Sequence, residues 1–147
     1  MNSAARELQA EVEAALPRLR ALSEARAAEP RGDGKWLRKE ILGHLIDSAA
    51  NNQQRFVRAR SSNPFVWPGY DQDAWVVAHG YRERSWTDLV DLWAMSNEQI
   101  AAAMRSVPPE RLATSCVIGS DPAVTLEWLM HDYLRHMRHH LAQILEL

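Results

Sequence analysis

"WLRKEILGHLIDSAANNQQRF", residues 36–56, has the pattern of one long helix. From Trp36 to about Arg60 the chain contains no proline and only one glycine, Gly43. Its apolar side chains recur with helical spacing and form one face, made of Leu37, Ile41, Leu45 and Phe56. A helix with one apolar face requires other elements to cover that face, so the rest of the chain should supply them.

Three more segments have helical periodicity. The first helix should span residues 3–28, the third should begin at Ser85 with Asp88 completing a capping box, and the fourth should run from about Thr125 to the C-terminus. Since no segment alternates like a strand, the sequence predicts an all-α, up-down-type four-helix bundle. We expect residues 1–147 to form one domain.

A long connection should join the second and third helices. Residues 64–84, "PFVWPGYDQDAWVVAHGYRER", are rich in aromatic side chains, and loops of this length usually have a function or cover another surface. We expect the connection to fold across one end of the bundle, with a short helix from Asp71 to Ala78.

Charge and composition exclude several classes of protein. The net charge is −2 and the basic residues are dispersed, which argues against a nucleic-acid partner. No apolar run approaches the roughly 18–20 residues of a membrane helix, and the N-terminal residues do not resemble a signal peptide. The single cysteine, Cys116, fits a reducing compartment. We therefore expect a cytoplasmic protein with no membrane partner.

Four of the six histidines lie in "HDYLRHMRHH", residues 131–140. On a helical wheel, His136 and His140 fall on the core-facing stripe, whereas His139 lies at its edge and His131 on the far side. A pair of histidines four residues apart on one helix face can bind the same metal ion.

His44 supplies a third inward-facing imidazole. It lies in the second helix at the border of the apolar face, in line with Ser48, Asn51 and Arg55. Burying an imidazole without a partner costs roughly 1–3 kcal/mol, so three of them favour a metal site formed by His44, His136 and His140. The alternative is a structural core in which the histidines bond to one another and to neighbouring side chains.

Three motifs together resemble the DinB-like superfamily of bacterial metal-binding four-helix bundles. They are "EILGHLID", "PGYDQDAWV" and "RHMRHHLAQI", and they occur in the family's order and spacing. The resemblance implies that His44, His136 and His140 hold a divalent metal. It also implies an activity from either of two groups: transferases and isomerases that use thiols such as bacillithiol or mycothiol, or metal-dependent hydrolases.

Three neutral imidazoles leave coordination positions open, as in catalytic metal sites. Nitrogen ligands suit zinc, nickel, iron or copper, and we favour zinc or nickel. A thiol or water bound to such an ion loses its proton near neutral pH. We therefore expect a metal-dependent transferase in which a low-molecular-weight thiol, or water, attacks a small electrophilic substrate. The alternatives are a hydrolase and a non-catalytic metal- or ligand-binding module.

Two sets of residues are candidates for supporting roles. Carboxylates and amides often orient a ligand imidazole through its second nitrogen, and the candidates for this role are Asp47, Asp132 and Gln143. The candidate substrate-binding residues are Asn51, Arg55, Tyr70 and Asp71. Arg55 could grip a substrate carboxylate or form a structural ion pair. Asp71 could cap a short helix instead, and Asp132 could be a surface charge.

A homodimer is one interpretation of the second helix. Leu42 and Ile46 lie opposite His44 and could face a second copy of the chain, or they could pack inside the bundle.

Overall fold

Helices dominate the computed structural model, which describes residues 2–146. The long helices are α1 (Ser3–Ala21), α3 (Arg38–Arg58), α5 (Trp86–Arg105) and α6 (Leu126–Leu145), and the short ones are α2 (Glu24–Ala27) and α4 (Gln72–His79). Single 3-10 turns are formed by Ala59–Ser61, Tyr81–Glu83 and Pro109–Arg111. The predicted all-α class and four-helix bundle are confirmed. Leu147, to which the fourth helix was expected to extend, lies outside the described residues.

Helices α1 and α3 each pack against α5 and α6. Asn2 Nδ2 donates a hydrogen bond to the carbonyl of Met104 at 2.8 Å, and Trp86 Nε1 donates to the carbonyl of Leu19 at 2.9 Å. These bonds join opposite ends of α1 and α5, so the two helices are antiparallel.

The beginning of α3 lies beside the end of α6. Arg38 Nε donates to the carbonyl of Ile144 at 3.1 Å, and these two helices are therefore antiparallel. The Glu24 carboxylate contacts both Lys39 and the backbone N–H of Trp86, so α3 and α5 begin at the same end of the bundle. The helix directions are up, down, down, up, which differs from a simple alternation.

The connection from α3 to α5 explains this order. It was expected to lie across one end of the bundle, but α4 packs along α3 and Tyr81 reaches Gly43, near the beginning of α3. The chain therefore returns along the length of α3 before α5 starts, which allows α5 to run parallel to α3.

A small sheet lies among the connections. Its strands are β1 (Phe65–Trp67), β2 (Ser115–Ile118) and β3 (Val124–Thr125). β1 is parallel to β2, with Phe65 opposite Cys116, and β2 is antiparallel to β3. The prediction that no segment is a strand was wrong, because runs of two to four residues are too short to show alternation.

Side-chain caps set where several helices begin. The side chains of Asn2, Ser23, Asp71, Ser85 and Thr125 accept hydrogen bonds from the N–H three residues later. The cap at Ser85 confirms the predicted start of the third helix. The first helix was expected to reach residue 28 but ends at Ala21, because Ser23 caps the separate helix α2.

The interior is formed mainly by the inward faces of the long helices. Leu42 and Ile46 are buried within the bundle, so they provide no surface for a homodimer. Among residues 2–146, none of the helices combines the length and apolar character needed to cross a membrane.

Gly43 allows the segment that connects α3 and α5 to pack closely against α3. A Cβ atom at this position would lie 2.1 Å from Cδ2 and 2.3 Å from Cγ of Tyr81. Tyr81 is itself buried, and its hydroxyl donates to Asp47 Oδ1 at 2.6 Å, so the ring has little room to move.

We expect Gly43→Ala to lower the free energy of unfolding by about 1–2 kcal/mol, since overpacking at the upper end of its usual cost of about 1–3 kcal/mol outweighs the roughly 1 kcal/mol that alanine gains in a helix interior. Urea denaturation measures the change. Gly69→Ala is the control, because a Cβ there meets nothing within 4 Å and should have little effect. A Gly43→Ala protein as stable as the parent would contradict this packing.

Candidate metal centre

Three histidines from two antiparallel helices meet inside the bundle. α3 supplies His44, which is 1% exposed, and α6 supplies the half-buried His136 and His140. One ligand nitrogen from each ring lies within 4.8 Å of the others. His44 Nε2 and His136 Nε2 are 2.9 Å apart, and the ring centroids of His136 and His140 are 4.6 Å apart. The structure therefore brings together the three ligands that the sequence predicts.

These separations can be compared with those around a metal ion. Two nitrogens that each bind one ion at about 2.0–2.1 Å lie roughly 3–4 Å apart. The shortest separation here is already in that range, and the longest needs less than about 1 Å of side-chain movement. The arrangement fits a single ion held by three imidazoles.

Burial keeps the three rings in the neutral form that metal ligands require. Burial lowers the pKa of His44 to about 3 and that of His136 to about 4, and the neighbouring histidines add to both effects. The pKa of His140 is also lowered by burial. At neutral pH all three rings carry a free lone pair.

The Nδ1 atoms of His140 and His44 differ in their hydrogen-bond partners. His140 Nδ1 donates to Gln143 Oε1 at 2.8 Å, which leaves Nε2 available as the ligand atom. Gln143 therefore occupies the position that its predicted orienting role requires. His44 Nδ1 is buried and has no hydrogen-bond partner among residues 2–146. If His44 Nε2 binds the ion, Nδ1 carries the ring proton and stays without a partner, whereas Nε2, which lies 2.9 Å from His136 Nε2, gains one.

Asp47 does not contact His44 as predicted. Its Oδ1 accepts from the Tyr81 hydroxyl at 2.6 Å and lies 2.9 Å from His79 Nδ1. Burial raises the pKa of the Asp47 carboxyl. The carboxylate therefore links α3 to α4 and the following turn, and the expectation that it orients His44 is wrong in this geometry.

The remaining polar residues of α6 lie outside the ligand set. Asp132 forms an ion pair with Arg135, although its charge also favours the protonated form of His136. Asp132 is thus half exposed and contacts no ligand imidazole, but it also borders the cavity beside His136. His139 is exposed, and His131 lies near Ser3 and Glu7 of α1.

A cavity of about 470 Å³ lies beside the metal centre, and we call it the Arg55 cavity. His136 borders it at one side. Polar wall residues include Ser48, Asn52, Arg55, Tyr70, Asp121 and Asp132, and apolar ones include Val124, Trp128, Leu129 and Tyr133. The volume lies within the roughly 300–1,000 Å³ of small-molecule sites.

Arg55 is the main cationic group of this cavity. Its Nε is buried without a hydrogen-bond partner among residues 2–146, and its Nη1 lies 3.5 Å from Asn52 Oδ1. The Tyr70 ring centroid is 6.0 Å from Arg55 Cζ. A partly unsatisfied guanidinium in a cavity can bind an anionic group through paired hydrogen bonds.

Two predicted substrate-binding residues lie elsewhere. Asn51 donates to the carbonyl of Asp47 at 2.9 Å, and its neighbour Asn52 lines the cavity in its place. Asp71 is exposed and caps α4, with its Oδ1 accepting from Ala74 N at 3.1 Å. The prediction of Asn51 was wrong by one position along the helix. The prediction of Asp71 was wrong because its side chain caps α4 instead.

The sequence interpretation missed several wall residues. Asn52 had a usable signal, because it lies two turns after His44 and one turn after Ser48. Trp128 lies eight residues before His136 on α6 and was not among the predicted site residues. Ile118 is the last residue of β2 and Asp121 lies in the loop after it, where sequence spacing gives no indication of what they approach.

Comparisons with known proteins agree with this geometry. The model of the DinB superfamily matches residues 7–144. "Putative metal-dependent hydrolase YfiT" of Bacillus subtilis (strain 168) is 25% identical over 128 residues, which are 86% of this chain and 71% of that protein. "Putative metal-dependent hydrolase OB0413" of Oceanobacillus iheyensis is 25% identical over 112 residues, covering 76% of this chain and 64% of the relative.

Solved structures show the same fold. The YfiT structure, described as a four-helix bundle of unusual topology, superposes with a TM-score of 0.83 at 23% identity, covering 98% of this chain and 83% of YfiT. A variant of a mycothiol-dependent maleylpyruvate isomerase superposes with a TM-score of 0.79 at 14% identity. That match covers 97% of this chain and 59% of the isomerase, so this chain corresponds to only part of the larger protein.

We expect the purified protein to bind about one equivalent of a divalent transition ion, and His136→Ala to lose most of it. Loss of a residue that only orients a metal ligand typically costs about 10–100-fold in affinity, and loss of a ligand itself should cost at least as much. Elemental analysis after dialysis measures the occupancy. His139→Ala is the matched control, because His139 is exposed and adjacent to a ligand yet lies outside the cluster. Equal metal content in both variants would contradict the ligand assignment.

The metal-free protein should lose stability as the pH falls from about 6.5 towards 4. In this window unfolded histidines, with an ordinary pKa of about 6.5, bind protons that His44 accepts only near pH 3. Thermal unfolding at stepped pH in excess chelator measures the slope, which should be smaller for His44→Gln. An unchanged slope would show that His44 is not held neutral by burial.

Proposed function

The chain belongs to the DinB superfamily, and we propose that it is a metal-dependent transferase. In this proposal one divalent ion, zinc or nickel, binds at His44, His136 and His140, and a low-molecular-weight thiol attacks a small electrophile. The observation that carries the proposal is the position of three neutral histidines beside a cavity that contains a partly unsatisfied guanidinium.

The three histidines support the metal half of the proposal. Nitrogen ligands of this kind suit zinc or nickel, and three of them leave coordination positions open. When bound, the ion lowers the pKa of a coordinated thiol or water towards neutrality. The protein supplies neutral lone pairs, and the Gln143 amide fixes the orientation of His140.

The Arg55 cavity supports a small-molecule substrate. Its apolar walls exclude water from a bound ligand, while Arg55 can bind a carboxylate or another anionic group bidentately. Tyr70 lies beside the guanidinium and restricts its position. Together these residues would hold an electrophile with its reactive carbon towards His136.

Thiol chemistry is also supported by one structural relative, which is named a mycothiol-dependent isomerase. A second candidate function is hydrolysis, which is favoured by the names of both curated relatives. In that case water would take the position of the thiol, and the histidines and the cavity would keep their roles. The two candidates differ in whether turnover requires an added thiol.

Metal-loaded protein should consume thiol when mixed with a chlorinated or epoxide electrophile that carries a carboxylate. Thiol loss and product mass measure the reaction, with bacillithiol, mycothiol and glutathione as thiols. Chelation and His44→Ala should abolish turnover, whereas His139→Ala should retain it. Turnover without thiol would identify a hydrolase, and no metal-dependent turnover in either assay would favour a non-catalytic binding module.

Arg55→Ala should raise the KM for a carboxylate-bearing electrophile about tenfold or more, because a charged hydrogen-bonded pair contributes about 1.5–3 kcal/mol. The KM for a matched electrophile without the carboxylate should change little. Steady-state kinetics with both substrates separate the two effects. An equal rise in both KM values would indicate that Arg55 only supports the cavity wall.

A further inference from the structure

The metal centre lies between two cavities. The second, of about 400 Å³, is bordered by His140 and Gln143 of α6, and we call it the Lys35 cavity. Its other walls are the segment before α3, which contains Arg31 and Lys35, and the beginning of α4. The Arg55 cavity borders His136 and the Lys35 cavity borders His140, and the two cavities are lined by different residues.

The two cavities differ in chemistry. The Arg55 cavity has many apolar wall residues, such as Val124 and Leu129, and its charged residues are one cation, Arg55, and two carboxylates, Asp121 and Asp132. The walls of the Lys35 cavity are mainly polar and include two cations, Arg31 and Lys35, and one carboxylate, Asp73. A strongly hydrated ligand with more negative than positive groups suits the second cavity, and a less polar ligand suits the first.

Local backbone geometry holds the cationic segment in place. Gly32 and Gly34 have φ angles of 142° and 71°, which side chains rarely adopt, so this turn depends on glycine. Arg31 Nη1 donates to the carbonyl of Trp36 at 3.1 Å, which ties the segment to the beginning of α3. The Trp36 ring in turn lies 5.1 Å from the ring centroid of His44.

We propose that the Lys35 cavity is the binding site of the thiol co-substrate and that the electrophile occupies the Arg55 cavity. This inference rests on the proposed transferase function. Arg31 and Lys35 bind carboxylates of the thiol, Asp73 faces an ammonium group where the thiol carries one, and the sulfur points past His140 towards the metal centre.

The reaction itself favours approach from two sides. The thiol gives its proton to solvent water, its sulfur forms a bond to the electrophilic carbon, and the leaving group departs into solvent with the electron pair of its own bond. In such a displacement the attacking and leaving atoms lie on opposite sides of carbon, so reactants in separate cavities are already aligned. If both reactants entered through one cavity, the thiol would have to pass the electrophile to reach the side of the carbon opposite the leaving group.

The test is a binding titration that does not depend on turnover. The protein is loaded with Co²⁺, and glutathione is added while the near-ultraviolet thiolate-to-cobalt charge-transfer absorption is followed. Lys35→Glu should weaken glutathione binding at least about fivefold, as expected for reversal of an exposed charge next to an anion. Arg18→Glu, the same charge change at an exposed position of α1, should leave the Kd within about twofold.

Two further thiols isolate the role of the carboxylates. The diethyl ester of glutathione should bind more weakly than glutathione and should be insensitive to Lys35→Glu. 2-Mercaptoethanol, which carries no carboxylate, should bind both proteins equally. Cobalt content and circular dichroism of each variant establish that the metal centre and the fold are intact.

Each other result overturns a defined part of the proposal. If cobalt binds but no thiol gives the charge-transfer absorption, the proposed thiol chemistry fails, and the thiol site fails with it. If the absorption appears and Lys35→Glu binds glutathione as tightly as the parent, only the assignment of the Lys35 cavity fails. If Arg55→Ala weakens glutathione binding in place of Lys35→Glu, the thiol occupies the other cavity and the assignment is wrong.

Discussion

The contact between α3 and α6 is the constraint on which the site depends. Three imidazoles occupy positions where a helical bundle normally places aliphatic side chains, and burial keeps them neutral. Neutral rings cost less to bury than charged ones, but they still require partners. Arg38, which bonds to the carbonyl of Ile144, and the antiparallel packing of the helices hold the rings at a common point. The position of both cavities follows from that point.

The features that depend on helical periodicity could be predicted from the sequence alone. The four long helices, the cap at Ser85 and the inward-facing positions of His44, His136 and His140 all follow from spacing within single helices. The helix directions could not be predicted in this way, because they depend on the path of the connection along α3. That path depends on the contact between Gly43 and Tyr81, two residues far apart in the sequence.

The errors around the site have the same origin. Asn51 and Asn52 differ by one residue of register, and only their neighbours in three dimensions show which of them faces the cavity. Asp47 shares a helix with His44, yet its partners are Tyr81 and His79 from the following connection. Some residues of the cavity walls belong to the segment after α5 or to the segment before α3. These segments have no periodic pattern from which their positions could be predicted. Sequence spacing therefore located the ligands, and tertiary structure was needed for the surroundings.

The distance along the chain between the ligands affects how the protein matures. His44 and His136 are 92 residues apart, and α5 and the connecting sheet lie between them. A chain that has been synthesised only as far as α5 contains one ligand, and the pair on α6 appears later. The complete coordination set therefore forms only after α6 has docked on α3. An ion bound by all three histidines would therefore be captured late in the biogenesis of the protein, and it would join two segments that are 92 residues apart in the chain.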